Sequence, residues 1–209
     1  MWFTLVVTAA IAYLLGSFPA GYLGGRLAGV DIRKLGSGNV GATNVTRTLG
    51  KRFGYPVFAV DFLKGMAAVL AAATLTKGDN ADPRFVDLCT ATAAVFAVIG
   101  HSYPVWFRFQ GGKGVATMLG TLFALNWIVA IIVCAVWYAV FQATRYVSVA
   151  SIAAAVALPT AMAAMLIWNQ LPSPVLLYFT LLLAALVILR HRSNLSRLFK
   201  GTEPRFDRK

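Results

Sequence analysis

Apolar residues gather into six runs, at about 3–23, 54–76, 85–104, 114–143, 148–168 and 175–189, separated by short polar stretches. The first five are close to or above the ~20 residues with which a helix crosses a bilayer, and the last is somewhat shorter. The pattern predicts an all-α integral membrane protein. The fourth run is the exception, about 30 residues long and interrupted by Asn126. Basic residues decide how it is divided, because cytosolic loops carry an excess of Lys and Arg.

The loop after the first run holds Arg26, Arg33, Lys34, Arg47, Lys51 and Arg52 against Asp31 alone, which places it in the cytosol. The stretch KGDNADPRFVD (77–87) mixes acids and bases and suits the outside, and Arg108 and Lys113 return to the inside. A single span over 114–143 would put Arg145 outside, together with Arg190, Arg192, Arg197, Lys200, Arg205, Arg208 and Lys209. Splitting the run near Leu125–Asn126 into two short helices restores the bias. The expectation is a seven-transmembrane-helix bundle, N-terminus periplasmic and C-terminus cytosolic, with two short helices, crossing or re-entrant, in the 114–143 region. It is read as one helical membrane domain, 1–209, with cytosolic motif loops at 24–53, 104–113 and 190–209. The first run has no basic residues before it, so a retained span is expected in place of a cleaved signal.

Composition agrees: 59% of residues are hydrophobic and 12% charged, where a soluble domain carries roughly a quarter charged. The net charge of +12 is read as this loop bias and not as a nucleic-acid footprint. Cys89 and Cys134 lie inside apolar runs as small core residues. Two well-separated histidines, with no acidic cluster, make no metal-ligand set.

Three polar stretches fall on the cytosolic side. LGSGNVGATNVTRTLGKR offers hydroxyls and amides from Ser37, Asn39, Thr43 and Asn44 beside Gly38, with Arg47 as a planar phosphate partner. Helix capping would explain one or two of these residues. GHSYPVWFRFQGGKGVAT places Gly111, Gly112, Lys113 and Gly114 ahead of an apolar helix that includes Thr117, an arrangement suited to an anion or to a lysine anchored at the headgroups. The sequence G-x-x-x-x-G-K-[ST] is absent, which disfavours nucleotide hydrolysis. RHRSNLSRLFKGTEPRF sets His191 and Asn194 on one face if the last span continues as a helix, with Arg192 and Arg197 nearby; His191 is a base, a phosphate donor or an interface residue. Glu203 reads as half of a structural ion pair. His101 is as suited to structural hydrogen bonding as to chemistry. Asp61 and Lys64 lie about two turns inside the second span, where charges cost several kcal/mol unless paired, so their i,i+3 spacing predicts an internal ion pair.

SGNVGATN with Arg47, GHSYPVWFRFQGGKGVAT and HRSNLSRLFKGTE, with DFLKG, resemble in order the motifs of the bacterial acyl-phosphate:glycerol-3-phosphate acyltransferases. The resemblance implies a seven-span bundle in the bacterial cytoplasmic (inner) membrane. It implies direct transfer of the acyl group of a fatty acyl phosphate to the 1-hydroxyl of sn-glycerol 3-phosphate, giving lysophosphatidic acid and phosphate. Ser37, Arg47, Lys113, His191 and Asn194 would be the principal site residues. Gly111, Gly112 and Gly114 would form a phosphate-binding turn, and Glu203 would support the third motif. No cofactor and no nucleic acid are implied, and the chain is taken as a monomer whose partners are its two phosphorylated substrates and the bilayer. A thioester-dependent acyltransferase with a His-x4-Asp pair does not fit, because Trp106 and Ser196 stand five residues beyond the two histidines. The alternative from another class is a membrane transporter of phosphate or a small organic phosphate. It is disfavoured by polar motifs gathered on one face instead of at a midplane.

Overall fold

A computed structural model describes residues 1–77, 82–171 and 174–206. Part of the 77–87 loop, and Arg208 and Lys209 of the basic tail, lie outside the described residues. The described residues are helical, with α1 Trp2–Gly16, α2 Ala20–Leu27, α3 Ala42–Leu49, α4 Lys51–Leu75, α5 Pro83–Ser102, α6 Val115–Leu125, α7 Trp127–Thr144, α8 Val147–Ile167, α9 Val175–Arg190 and α10 Arg192–Phe199. Five segments among them are long and apolar enough to cross a membrane: α1 with α2, α4, Pro83–Phe107, α7 and α8; the bent pair α9–α10 makes a sixth. The chain divides into two compact units, Met1–Leu125 and Asn126–Lys209.

In the first unit α1, α4 and α5 meet through alanines, with Ala12, Ala68, Ala72, Ala93 and Ala97 buried together. Small side chains let membrane helices approach until their backbones touch. Gly65 and Gly120 allow such an approach: a Cβ on Gly65 would overlap the Thr117 carbonyl, and one on Gly120 the Phe62 carbonyl. This is how α4 and α6 lie against each other. The first apolar run is not one straight helix. It stops at Gly16 and restarts at Ala20, because Pro19 has no N–H to continue the ladder.

Asn126 does break the long run, its Oδ1 accepting from the Val129 N–H (3.1 Å) as the N-cap of α7. The two pieces are unequal, however, which corrects the expectation of two short helices. The 11 residues of α6 rise about 16 Å, well short of a ~30 Å hydrocarbon core. The 18 residues of α7 meet the length and composition of a span.

In the second unit α8 packs between α7 and α9, and Trp137 Nε1 donates to Ser151 Oγ across the α7–α8 pair (3.2 Å). The last apolar run does not continue as one helix. It bends by 52° between α9 and α10, at His191. Beyond α10 the chain folds back: the Phe206 N–H donates to the Arg145 carbonyl (2.9 Å), and the Phe206 ring meets Phe141 edge-on. Glu203 anchors this return. Its Oε1 accepts from Ser148 Oγ (2.7 Å) and Asn194 Nδ2 (2.7 Å), and its Oε2 from Arg197 Nε (2.8 Å). Burial works to raise the Glu203 pKa, but these three hydrogen bonds and the Arg197 charge outweigh it and hold the carboxyl below its ordinary 4.5.

The sign of the linkage follows. A carboxylate whose folded pKa is depressed contributes stability that is fully present above its unfolded pKa and is lost as pH falls through the folded value. Thermal unfolding in detergent is expected to show stability declining below about pH 4.5. Glu203→Gln should flatten that decline. Glu203→Ala should cost about 3 kcal/mol at pH 7, because it removes the buried acceptor shared by Asn194 Nδ2, Ser148 Oγ and Arg197 Nε. An unchanged acid limb in the Gln variant would show that Glu203 does not tie the tail down.

Candidate active site

The first polar loop is organised by one buried amide. Asn44, at the start of α3, receives the Ser37 N–H on Oδ1 (2.9 Å) and donates Nδ2 to the Leu35 and Asn39 carbonyls (3.0 and 2.9 Å). Asn39 in turn accepts from the Gly41 N–H (2.8 Å). These two amides therefore shape the loop, which reassigns them from the ligand-orienting role expected from sequence. Their work leaves Ser37 and Gly38 exposed at the loop surface. Thr43 and Arg47 follow one turn apart on α3, on a common face, with Arg47 exposed.

Arg33, which the sequence presents only as a topogenic charge, is fixed in place. It forms an ion pair with Asp31 (2.7 Å) and lies over the rings of Tyr22 (4.9 Å) and Phe107 (5.4 Å). Its hydrogen bonds and charge hold the Asp31 carboxyl down to about 2. The i,i+2 spacing of Asp31 and Arg33 was the available signal; no local pattern shows the two rings.

Below the loop lies a buried charge cluster. Lys64 Nζ is 2.7 Å from Asp61 Oδ1, the ion pair that the spacing predicts, and His101 Nδ1 is 3.3 Å from the same oxygen. Lys64 also donates to the Phe18 carbonyl (2.9 Å), in the α1–α2 break. A cavity with room for about one water is lined by Phe18, Gly21, Val40, Asp61, Lys64 and His101 among others, so the loop and the charge cluster border the same space.

The GGKG segment is built onto the end of α5. The Gly111 N–H donates to the Ser102 carbonyl and the Gly112 N–H to the His101 carbonyl, both at 3.1 Å. This corrects the expectation that both glycines offer their N–H groups to a phosphate. Gly114, with φ +80°, turns the chain into α6. The Ser102 and Thr117 hydroxyls are fully buried here without a hydrogen-bond partner. Thr117 was expected; Ser102 was missed, although it directly follows His101.

In the second unit the bend sets His191 and Asn194 in place. His191, 2% exposed, has Nδ1 at 2.8 Å from the Val187 carbonyl. A carbonyl only accepts, so Nδ1 carries the hydrogen. Asn194 is buried with its Nδ2 on Glu203, Arg197 is half-buried on the same carboxylate, and Arg192 is exposed. Glu203 thus takes the ion-pair role expected of it. Ser148, its third partner, was not foreseen. Among the described residues no group of three or more His, Cys, Asp or Glu side chains is placed to hold a metal.

The chain matches the family model described as glycerol-3-phosphate acyltransferase over residues 6–201. A glycerol-3-phosphate acyltransferase of Synechococcus elongatus is 48% identical over 98% of this chain and 96% of its own length. One from Aquifex aeolicus is 46% identical over 93% and 95%. The crystal structure of PlsY (YgiH), an integral membrane glycerol 3-phosphate acyltransferase, in its glycerol 3-phosphate form, superposes with a TM-score of 0.84 at 41% identity, covering 97% of this chain and 96% of that one. The lysophosphatidic acid form of the same enzyme gives 0.82. This chain, an all-α multi-pass membrane protein, belongs to the glycerol-3-phosphate acyltransferase family.

Proposed function

We propose that the protein transfers the acyl group of a fatty acyl phosphate directly to the 1-hydroxyl of sn-glycerol 3-phosphate, releasing phosphate and leaving lysophosphatidic acid. It works as a monomer in the bacterial cytoplasmic membrane, as a seven-span bundle with its motif loops in the cytosol. The observation that carries this reading is the likeness to a solved acyltransferase crystallised in glycerol 3-phosphate and lysophosphatidic acid forms. Lysophosphatidic acid is the monoacyl ester of glycerol 3-phosphate, so the two forms are acceptor and product of one acyl transfer. The acyl-phosphate donor is supported by the charge inventory, since two phosphorylated substrates need the cations that the motifs supply. Membership in an acyltransferase family stands against the transporter reading.

An acyl phosphate is a mixed anhydride whose leaving group is already good, so no acyl-enzyme is required. In the first unit Arg47 and Lys113 balance phosphate charge, with Ser37, Gly38, Thr43 and Thr117 as neutral hydrogen-bonding groups. Stabilising charge that develops on the departing phosphate is a major source of rate. In the second unit His191 Nε2 accepts the hydrogen bond of the attacking hydroxyl. Asn194 offers its remaining amide capacity, and Arg192 and Arg197 add positive charge. As the ester C–O bond forms and the acyl C–O bond to phosphate breaks, the hydroxyl proton ends on the released phosphate. His191 therefore orients the hydroxyl and needs no permanent protonation.

Purified protein in detergent, given palmitoyl phosphate and glycerol 3-phosphate without carrier protein or coenzyme A, is expected to release lysophosphatidic acid and phosphate in equal amounts. Folded protein that produces neither, yet accepts acyl-thioester donors, would overturn the donor assignment. Lys113→Ala should lower kcat/KM by about a hundredfold or more, the scale on which a single charge-stabilising donor acts, while the protein still folds. Near-normal kinetics in that variant would remove the phosphate-clamp role.

A further inference from the structure

His101 holds the GGKG turn at two places. Its carbonyl takes the Gly112 N–H (3.1 Å), while the next carbonyl, of Ser102, takes that of Gly111. Its ring meets Gly112 edge-on through Nε2: a Cβ on that glycine would overlap Nε2 and crowd Cε1 and Cδ2. On its other edge Nδ1 is 3.3 Å from Asp61 Oδ1. The ring is 7% exposed, enclosed between a carboxylate and a main-chain turn, with Lys113 the next residue along.

We propose that His101 is a positioning residue for the acyl transfer: its imidazole, fixed by Asp61, is the template on which the Gly111–Gly112 turn is laid so that Lys113 is aimed. The proposal rests on the reading of Lys113 as a phosphate ligand. It explains why two charges are kept about two turns inside a span. Asp61 holds the ring, and Lys64 holds Asp61 while tying it to the Phe18 carbonyl in the α1–α2 break, which also accepts from the Ala20 N–H. The aim of Lys113 is thereby referred to α1, α4 and α5 at once. It also assigns Gly112 to close packing: the position excludes a side chain because the imidazole occupies the space, and its N–H is already donated. If Gly112 instead served the substrate directly, a Cβ there would be harmful whatever stood at 101.

A double-mutant cycle separates these cases. Gly112→Ala is expected to lower kcat/KM for acyl transfer by about tenfold to a hundredfold, the cost of a reacting group displaced by about an ångström. His101→Ala should lose a comparable factor. In the His101→Ala background the added Gly112→Ala should change kcat/KM by less than about twofold, because residues in contact couple. Equal losses from Gly112→Ala in both backgrounds would overturn the proposal. Where Gly112→Ala fails to fold, His101→Gln leaves the Asp61–Lys64 pair intact and removes the ring against which Gly112 is packed. It is expected to raise KM for the phosphorylated substrates by about fivefold or more with kcat within about twofold, the sign of lost uniform binding; an unchanged KM would overturn the proposal. Normal kinetics for Lys113→Ala would sink the phosphate-clamp reading itself. A damaged Lys113→Ala combined with an additive cycle would sink the template alone.

Discussion

The first unit depends on burying a charge pair in a segment of membrane-spanning character. Asp61 and Lys64 are 2% and 8% exposed, and at that depth neither is tolerable alone. Their mutual ion pair does not satisfy them, because a carboxylate accepts several hydrogen bonds and an ammonium donates three. The remaining capacity reaches other elements. Lys64 donates to the Phe18 carbonyl, in the break that Pro19 makes in the first span, and Asp61 meets His101 at the end of α5. One broken helix, one ion pair and one imidazole are therefore a single solution to a solvation problem. The polar loops are built upon it: Val40 of the first loop lines the same small cavity, and the GGKG turn rests on the imidazole.

A similar device recurs in the second unit, with Glu203 in place of Asp61. It is buried, accepts from Ser148, Asn194 and Arg197, and gathers α8, α10 and the tail. In both units the acid closest to the motif residues holds other groups in place, and in both the neighbouring histidine is oriented by an acceptor: a carboxylate for His101, the Val187 carbonyl for His191. On the proposed reading this division is chemically sensible. Carboxylates facing two anionic substrates would repel them, whereas carboxylates turned away can fix the donors that face them.

Much of this was legible in the chain. Asp61 and Lys64 announce their pairing because charges in an apolar run must be three or four residues from a partner on the same helix. The break at Asn126 was legible because a single span over 114–143 would set the basic tail against the bias of Lys and Arg toward cytosolic loops. What escaped depends on contacts between residues distant in sequence. Ser148 meets Glu203 across 55 positions, and Arg33 is held by Tyr22 and Phe107, neither of which any local spacing marks. The unequal halves of 114–143 escaped because charge bias counts crossings and does not measure lengths. The bend at His191 escaped for a local reason: composition does not mark a bend made without proline or glycine. What an individual polar side chain bonds to was not legible either. Asn44 looks like a ligand in sequence and is a loop brace in the fold.

Glycines show this limit most clearly. A run such as GGKG reads as a phosphate cradle because glycine lets an anion approach the main chain. The same residues are equally required where the approaching group belongs to the protein. At Gly111 and Gly112 the N–H groups are already donated to carbonyls of α5, and the space a side chain would take is filled by protein atoms. The glycines thus bring Lys113 to a fixed place by removing slack from the turn before it. A flexible lysine on a flexible loop would lose side-chain and backbone entropy on every binding event. Laid against a braced imidazole, the turn has lost its share before substrate arrives. On the proposed reading, in which the donor is already activated, that preorganisation is the contribution most needed from the protein.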